Sequence, residues 1–187
     1  PPAIDPRTTL ALLQYTGGTT GVAKGAALTH ANVDINAQQV TLWFSGYPGA
    51  AVRSIAILPL FHAFAMTCVM NLTLAFGACM LLEPRFDALK LLRLIARKHP
   101  NAMAGVPTLY EALARDPSLQ RSDLSSLRAA FCGADTLTRP VKERFEQLVR
   151  DRGGNVRLLE GYGLTEAVTA VMGTPLDHYR EGSVGVP

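Results

Sequence analysis

Short apolar runs alternate with longer amphipathic ones along this chain. The short runs, at residues 10–15, 54–58, 78–82, 102–106, 127–132 and 156–160, are mainly apolar rather than apolar at every second position. That pattern predicts parallel strands covered on both faces. Between them, apolar positions recur at helical spacing. Asp87 stands where it can cap a helix with Leu91, Leu92, Ile95 and Ala96 on one face, and His99-Pro100 ends it. Thr138 can cap a second helix carrying Val141, Phe145, Leu148 and Val149, which Gly153-Gly154 stops. Pro107 opens a third, and Thr29 or Asn32 starts a fourth that runs to about Phe44. Strand, helix, strand, repeated, predicts an α/β doubly wound, mostly parallel sheet flanked by helices in three layers. Ligands of such sheets bind outside the carboxyl ends of the strands. The loops after Tyr15, Leu58, Val106, Cys132 and Glu160 are therefore where chemistry is expected.

One stretch competes with this reading. Residues 54–82 carry no side chain formally charged at neutral pH, and a window of about 19 such residues can mark a membrane span. Pro59, His62, Asn71 and Gly77 divide it into pieces of strand, helix and strand length. Strand, loop, buried helix, strand is the expectation.

Composition narrows the function. The chain has 187 residues, 48% of them hydrophobic and 18% charged, which suits a globular protein and excludes a disordered one. The net charge is +3, and the 18 basic residues are dispersed, which argues against nucleic acid as a partner. Three cysteines, Cys68, Cys79 and Cys132, form no Cys-x-x-Cys pair. That spacing speaks against a disulfide framework or a zinc site and for a reducing, cytoplasmic setting. Cys132 ends an apolar run with no basic neighbour in sequence, so nothing marks it as a nucleophile.

The first loop, Tyr15-Thr16-Gly17-Gly18-Thr19-Thr20-Gly21-Val22-Ala23-Lys24-Gly25, combines glycines, hydroxyls and a lysine directly after a strand. Close backbone N–H groups, hydroxyl donors and one positive charge suit a polyphosphate. It is not a Walker A loop, because Ala23 and not glycine precedes Lys24. A Gly/Thr-rich turn without a ligand is the plain alternative. The fourth loop, Glu160-Gly161-Tyr162-Gly163-Leu164-Thr165-Glu166-Ala167, offers an aromatic face, a hydroxyl and a carboxylate in close order. By itself, Glu166 could be an ordinary charge at a helix start.

Together these two loops resemble the signatures of the adenylate-forming superfamily, which comprises acyl-CoA synthetases, luciferases and peptide-synthetase adenylation domains. Gly17, Ala23 and the following Leu28-Thr29-His30 resemble most the bacterial long-chain fatty acyl-CoA ligases. Two further segments fit. Pro59-Leu60-Phe61-His62 resembles the family's Pro-x-Phe/Tyr-His segment beside the reacting carboxylate. Alone, a histidine in an apolar run is more often a core residue. Cys132-Gly133-Ala134-Asp135 resembles the segment whose backbone lines the adenine pocket, although Asp135 replaces an uncharged residue there and an ordinary strand-to-helix turn would read the same way.

The resemblance implies ATP and Mg²⁺ as cofactors, with a fatty acid and coenzyme A as further substrates. It implies that Thr16, Gly17, Gly18, Thr19, Thr20, Gly21 and Lys24 hold phosphates. Gly133, Ala134, Gly161, Tyr162 and Gly163 would hold the nucleotide. Thr165, Glu166 and His62 would serve catalysis, with Glu166 on the metal. It covers the whole of residues 1–187 and implies that they are the central portion of the larger N-terminal domain. The ribose-binding aspartate and a C-terminal domain with a catalytic lysine would then lie beyond Pro187. Two alternatives stay open: activation of an aromatic, dicarboxylic or amino acid, and a non-catalytic nucleotide-binding module. The apolar segments Ala63-Phe64-Ala65-Met66 and Ala104-Gly105-Val106 favour an aliphatic or aromatic acyl chain. Peripheral membrane contact is compatible with a substrate that partitions into lipid, though no amphipathic basic helix marks it.

Overall fold

A computed structural model describes residues 3–16, 23–44, 52–118 and 122–187. The central element is a six-stranded sheet in the order β4-β3-β5-β6-β7-β8. Strands β3 (Arg53–Ala56), β4 (Cys79–Leu82), β5 (Ala102–Gly105), β6 (Ala129–Cys132) and β7 (Leu158–Gly163) pair in parallel. Strand β8 (Ala170–Gly173) closes one edge antiparallel to β7. The chain passes from β3 outward to β4, then returns across β3 to β5. The strand order therefore reverses between β3 and β5, which opens a crevice at their carboxyl ends.

Burial on both faces explains the mainly apolar runs. Ile55, Met103, Ala130 and Leu158 point to one face, where they meet α4 (Ala88–Lys98), α5 (Pro107–Arg115) and α6 (Arg139–Asp151) in the largest core cluster. Their neighbours Ala56, Ala104 and Phe131 point to the other face, against Val69 and Phe64. That second face is covered by residues 63–75. They form an unbroken helix in which the α-turns α2 (Ala63–Ala65) and α3 (Leu72–Ala75) flank a π-helical segment, Met66–Asn71. Helix α1 (His30–Trp43) packs beside it. Among the described residues, no helix is long and apolar enough to cross a membrane.

The caps follow the local sequence. The Asp87 carboxylate accepts from the Lys90 N–H at 3.0 Å, and His99 ends α4 in the left-handed region at φ 47°. Thr29 and Asn32 make a reciprocal capping box at the start of α1. Thr138 precedes α6 without a side-chain cap bond; Pro140 in the first turn sets the helical φ instead.

Three expectations need correction. Strand β1 (Leu10–Thr16) is not part of the parallel sheet but pairs antiparallel with β2 (Lys24–Thr29) in a separate two-stranded unit. The intervening residues are too few for the crossover that parallel pairing requires. Strand β2 was not expected at all, because Lys24-Gly25-Ala26-Ala27 has little β propensity. The last strand starts at Leu158 rather than 156 and extends through Gly163, so half of the fourth loop is itself extended and pairs with β8.

Candidate functional site

A cavity of about 770 Å³ opens at the carboxyl ends of the parallel strands. It gathers His62 after β3, Gly133 and Ala134 after β6, and Gly161, Tyr162 and Gly163 of β7, together with Thr165. Segments up to about a hundred residues apart in sequence thus converge on one cavity. The lining also includes apolar side chains: Val40 of α1, Phe44 at its C-terminal cap, Leu72 of the 63–75 helix and Phe131 of β6. Phe44 meets Phe131 edge-on at 4.6 Å between ring centroids.

Local geometry accounts for the residue types. His62 caps its helix: its Nδ1 accepts from the Phe64 N–H at 3.3 Å, which leaves Nε2 directed elsewhere. Gly133 is pressed against Phe64, whose ring lies 3.3 Å from where a Cβ would stand. Ala134 then takes a left-handed backbone, φ 68°, turning the chain around the cavity rim. Gly163 is required outright. A Cβ there would fall 1.9 Å from the Thr169 carbonyl oxygen, and that oxygen accepts from the Leu164 N–H at 2.9 Å. Tyr162 is half exposed and presents its ring to the opening.

The 3-10 turn Thr165–Ala167 follows β7 and carries Glu166 to the surface. Both strands of the β1–β2 hairpin pack against this turn. Lys24, exposed at the start of β2 opposite Thr16, therefore lies on the element next to Glu166. The Thr16 hydroxyl donates to the Lys24 carbonyl at 3.3 Å. Gly17, Gly18, Thr19, Thr20 and Gly21 lie outside the described residues. The hairpin is tied to the histidine loop by Gln14, whose amide donates to the Phe61 carbonyl at 3.0 Å.

Among the described residues, no group of three or more His, Cys, Asp or Glu side chains could cage a metal. One exposed carboxylate does fit a magnesium ion that keeps most of its water and is carried by substrate phosphates. Burial pushes the thiols of Cys68 and Cys132 up to about 12, so neither is a thiolate at neutral pH.

A family model described as AMP-binding enzyme matches residues 1–187. The chain belongs to that family. The chain is 39% identical to a long-chain-fatty-acid–CoA ligase of Bacillus subtilis over all of its length and 32% of the relative's. It is 36% identical to a feruloyl-CoA synthase of an Amycolatopsis species, covering 94% of this chain and 35% of that one. Its fold superposes on the crystal structure of a long-chain-fatty-acid–CoA ligase from Archaeoglobus fulgidus with a TM-score of 0.85. That match has 28% identity and covers 98% of this chain and 37% of the other. The chain thus spans about a third of the length of the curated relatives it matches.

Sequence reasoning missed several residues of the site. Asn36, Gln39 and Trp43 of α1 and Glu160 of β7 all line the cavity. A signal for Asn36 existed: a polar side chain at helical spacing between Val33 and Val40 on an apolar stripe. Glu160 had none, because a mainly apolar run with no alternation does not tell which face a residue takes. Burial raises the Glu160 carboxyl above its ordinary value, and nearby Lys142 offsets part of that shift.

Proposed function

We propose that this chain is the central portion of the larger N-terminal domain of a fatty acid–CoA ligase, with ATP, Mg²⁺, a fatty acid and coenzyme A as its reactants and cofactor. The observation that carries the reading is that one cavity is lined by the Tyr162-Gly163 motif, Thr165, Gly133-Ala134 and His62, together with apolar side chains such as Val40, Phe44 and Leu72. A nucleotide and an acyl carboxylate can meet there without a protein nucleophile, because the carboxylate is itself the nucleophile.

In the first half-reaction the substrate carboxylate attacks the α-phosphorus of ATP, the bond to the β-phosphate oxygen breaks, and acyl-adenylate and pyrophosphate form. Two anions must be brought together, so charge neutralisation and alignment are the main tasks. Lys24 and the neighbouring loop bind the β- and γ-phosphates. Thr165 donates its hydroxyl to the α-phosphate. Tyr162 and the bare backbone at Gly133 and Gly161 flank the adenine. Nε2 of His62 donates toward the carboxylate and orients it. Glu166 would hold magnesium, which when bound neutralises phosphate charge. In the second half-reaction the thiol of coenzyme A attacks the acyl carbonyl and AMP leaves.

The test is acyl-dependent ATP–pyrophosphate exchange by the parent-length protein with a panel of acids. Exchange with long-chain fatty acids, lost in Glu166→Gln, supports the reading. Exchange with amino acids and none with fatty acids would overturn it. The feruloyl-CoA synthase relative favours an aromatic acid as the second reading, and ferulate exceeding fatty acids in the panel would select it. For a non-catalytic module, Mg-ATP would bind without any exchange.

A further inference from the structure

The turn bearing Thr165 and Glu166 is short, exposed and followed by a strained residue. Val168 has φ 68° and ψ −61°, and the Thr169 N–H donates to the Ala167 carbonyl at 2.9 Å. That is a γ-turn of the hand that a β-branched residue adopts only when its surroundings hold it there. Two contacts do the holding. The Val168 side chain, 3% exposed, is buried against Leu28 of β2 and Met66 of the π-helical segment. On the other side stands Asn36 of α1, 5% exposed.

Asn36 reads the backbone of Ala170 in both directions. Its Nδ2 donates to the Ala170 carbonyl at 2.9 Å, and its Oδ1 accepts from the Ala170 N–H at 3.1 Å. Ala170 opposes Gly163 in the β7–β8 register. The Asn36 amide therefore stands where one more strand would continue the sheet, at the point where the chain leaves the turn. The second Nδ2 hydrogen goes to Gln39 Oε1 at 3.2 Å. Both amide hydrogens are thus spent inside the protein, and although Asn36 lines the cavity it has none left for a substrate.

We propose that Asn36 is a positioning residue for the adenylation step: through Ala170 it fixes the Thr165–Glu166 turn at the phosphate and metal side of the cavity. The proposal rests on the ligase reading above. Helix α1 is also the direct continuation of β2. Asn36 consequently ties the element that starts at Lys24 to the turn that carries Glu166, so that phosphate-binding and metal-binding groups keep one spacing.

The experiment measures ATP–pyrophosphate exchange by the parent-length enzyme and its Asn36→Leu variant, which keeps the branching and the number of heavy atoms and lacks the amide. Magnesium and fatty acid concentrations are varied separately. Loss of the two hydrogen bonds to Ala170 predicts a fall in kcat of about tenfold or more. The magnesium concentration for half-maximal rate should rise, while the fatty-acid KM stays within about twofold. A raised fatty-acid KM with unchanged magnesium dependence would make Asn36 a wall of the acyl site and overturn the proposal. So would unchanged kinetics in a variant of an active enzyme. Inactivity of the wild type with every acid would instead remove the ligase reading. A measurement on the wild type covers a variant that does not fold: amide hydrogen exchange at Ala170. Protection comparable to β6 is expected, whereas exchange at the rate of an open edge strand would overturn the proposal.

Discussion

Replacing Lys142 by methionine isolates one buried charge. Lys142 lies on α6 with its side chain only 11% exposed, and its ammonium donates to the Leu158 carbonyl at the start of β7. It also meets Glu146 Oε1 at 2.8 Å and sits 4.3 Å from the centre of the Tyr179 ring. Methionine keeps the apolar stem and removes only the charge and its donors. Glu146, 14% exposed, then loses its nearest cation but still accepts from the Leu158 N–H at 2.8 Å, with Arg150 at 3.9 Å. Stranding a buried partner costs about 3–5 kcal/mol, and these remaining contacts place the expected loss near the lower end, about 3 kcal/mol. For a chain of this size that is a fall in Tm of about 6–12 °C. Urea unfolding would be followed by the fluorescence of Trp43, the single tryptophan, and by circular dichroism to test for one transition. Adding Glu146→Gln removes the stranded charge and should bring the double variant within about 1 kcal/mol of wild type. A single variant within about 0.5 kcal/mol of wild type would refute the reasoning, since exposed pairs behave that way. A double variant as unstable as the single would refute the role given to the Glu146 charge.

Three other outcomes are expected. Gly163→Ala forces the backbone away from Thr169, so Mg-ATP affinity measured by calorimetry should fall at least about tenfold while the sheet stays folded; unchanged affinity would show that the close approach has no bearing on the nucleotide. Glu160 has a raised folded-state pKa, so its ionisation disfavours the fold: wild-type stability relative to Glu160→Gln should be constant below the ordinary carboxyl value of 4.5 and should decline as pH rises through that value to the folded one. Melting curves of both proteins from pH 3.5 to 7 check this, and a variant advantage that shrinks with pH would have the wrong sign. Tyr110→Phe removes a hydroxyl that donates to the Phe131 carbonyl at 2.6 Å from a fully buried ring, and should cost about 1–2 kcal/mol in urea unfolding.

Much of the sheet was readable because burial on two faces leaves a plain mark. Residues 102–106 and 127–132 contain β5 and β6, and Asp87 and Thr29 cap the helices they precede. The motif segments after β6 and from the end of β7 onward stand out in the sequence because they are short, contiguous and chemically unusual. What escaped notice depends on tertiary contacts. The pairing of β1 with β2, the short edge strand β8 and the π-helical segment leave no periodic signal in four to seven residues. Val168 and Asn36 escaped for a related reason. A valine announces no positive φ, and an asparagine in a helix announces no partner in a distant strand.

The bond from Asn36 to Ala170 spans 134 residues, and that distance sets an order of events. Closing a loop of this length costs about 4 kcal/mol of chain entropy, against about 2 kcal/mol for the short connection between β1 and β2. The hairpin can therefore form early and locally, whereas the clamp must wait until the intervening strands have shortened the effective loop. During synthesis at about 5–20 residues per second, Ala170 follows Asn36 by about 7–27 s. Through that interval the Asn36 amide of α1 lacks its partner on Ala170 and keeps water in its place. The nascent chain should hold its parallel sheet, from β3 to β6, before any nucleotide could find Thr165 and Glu166 in place.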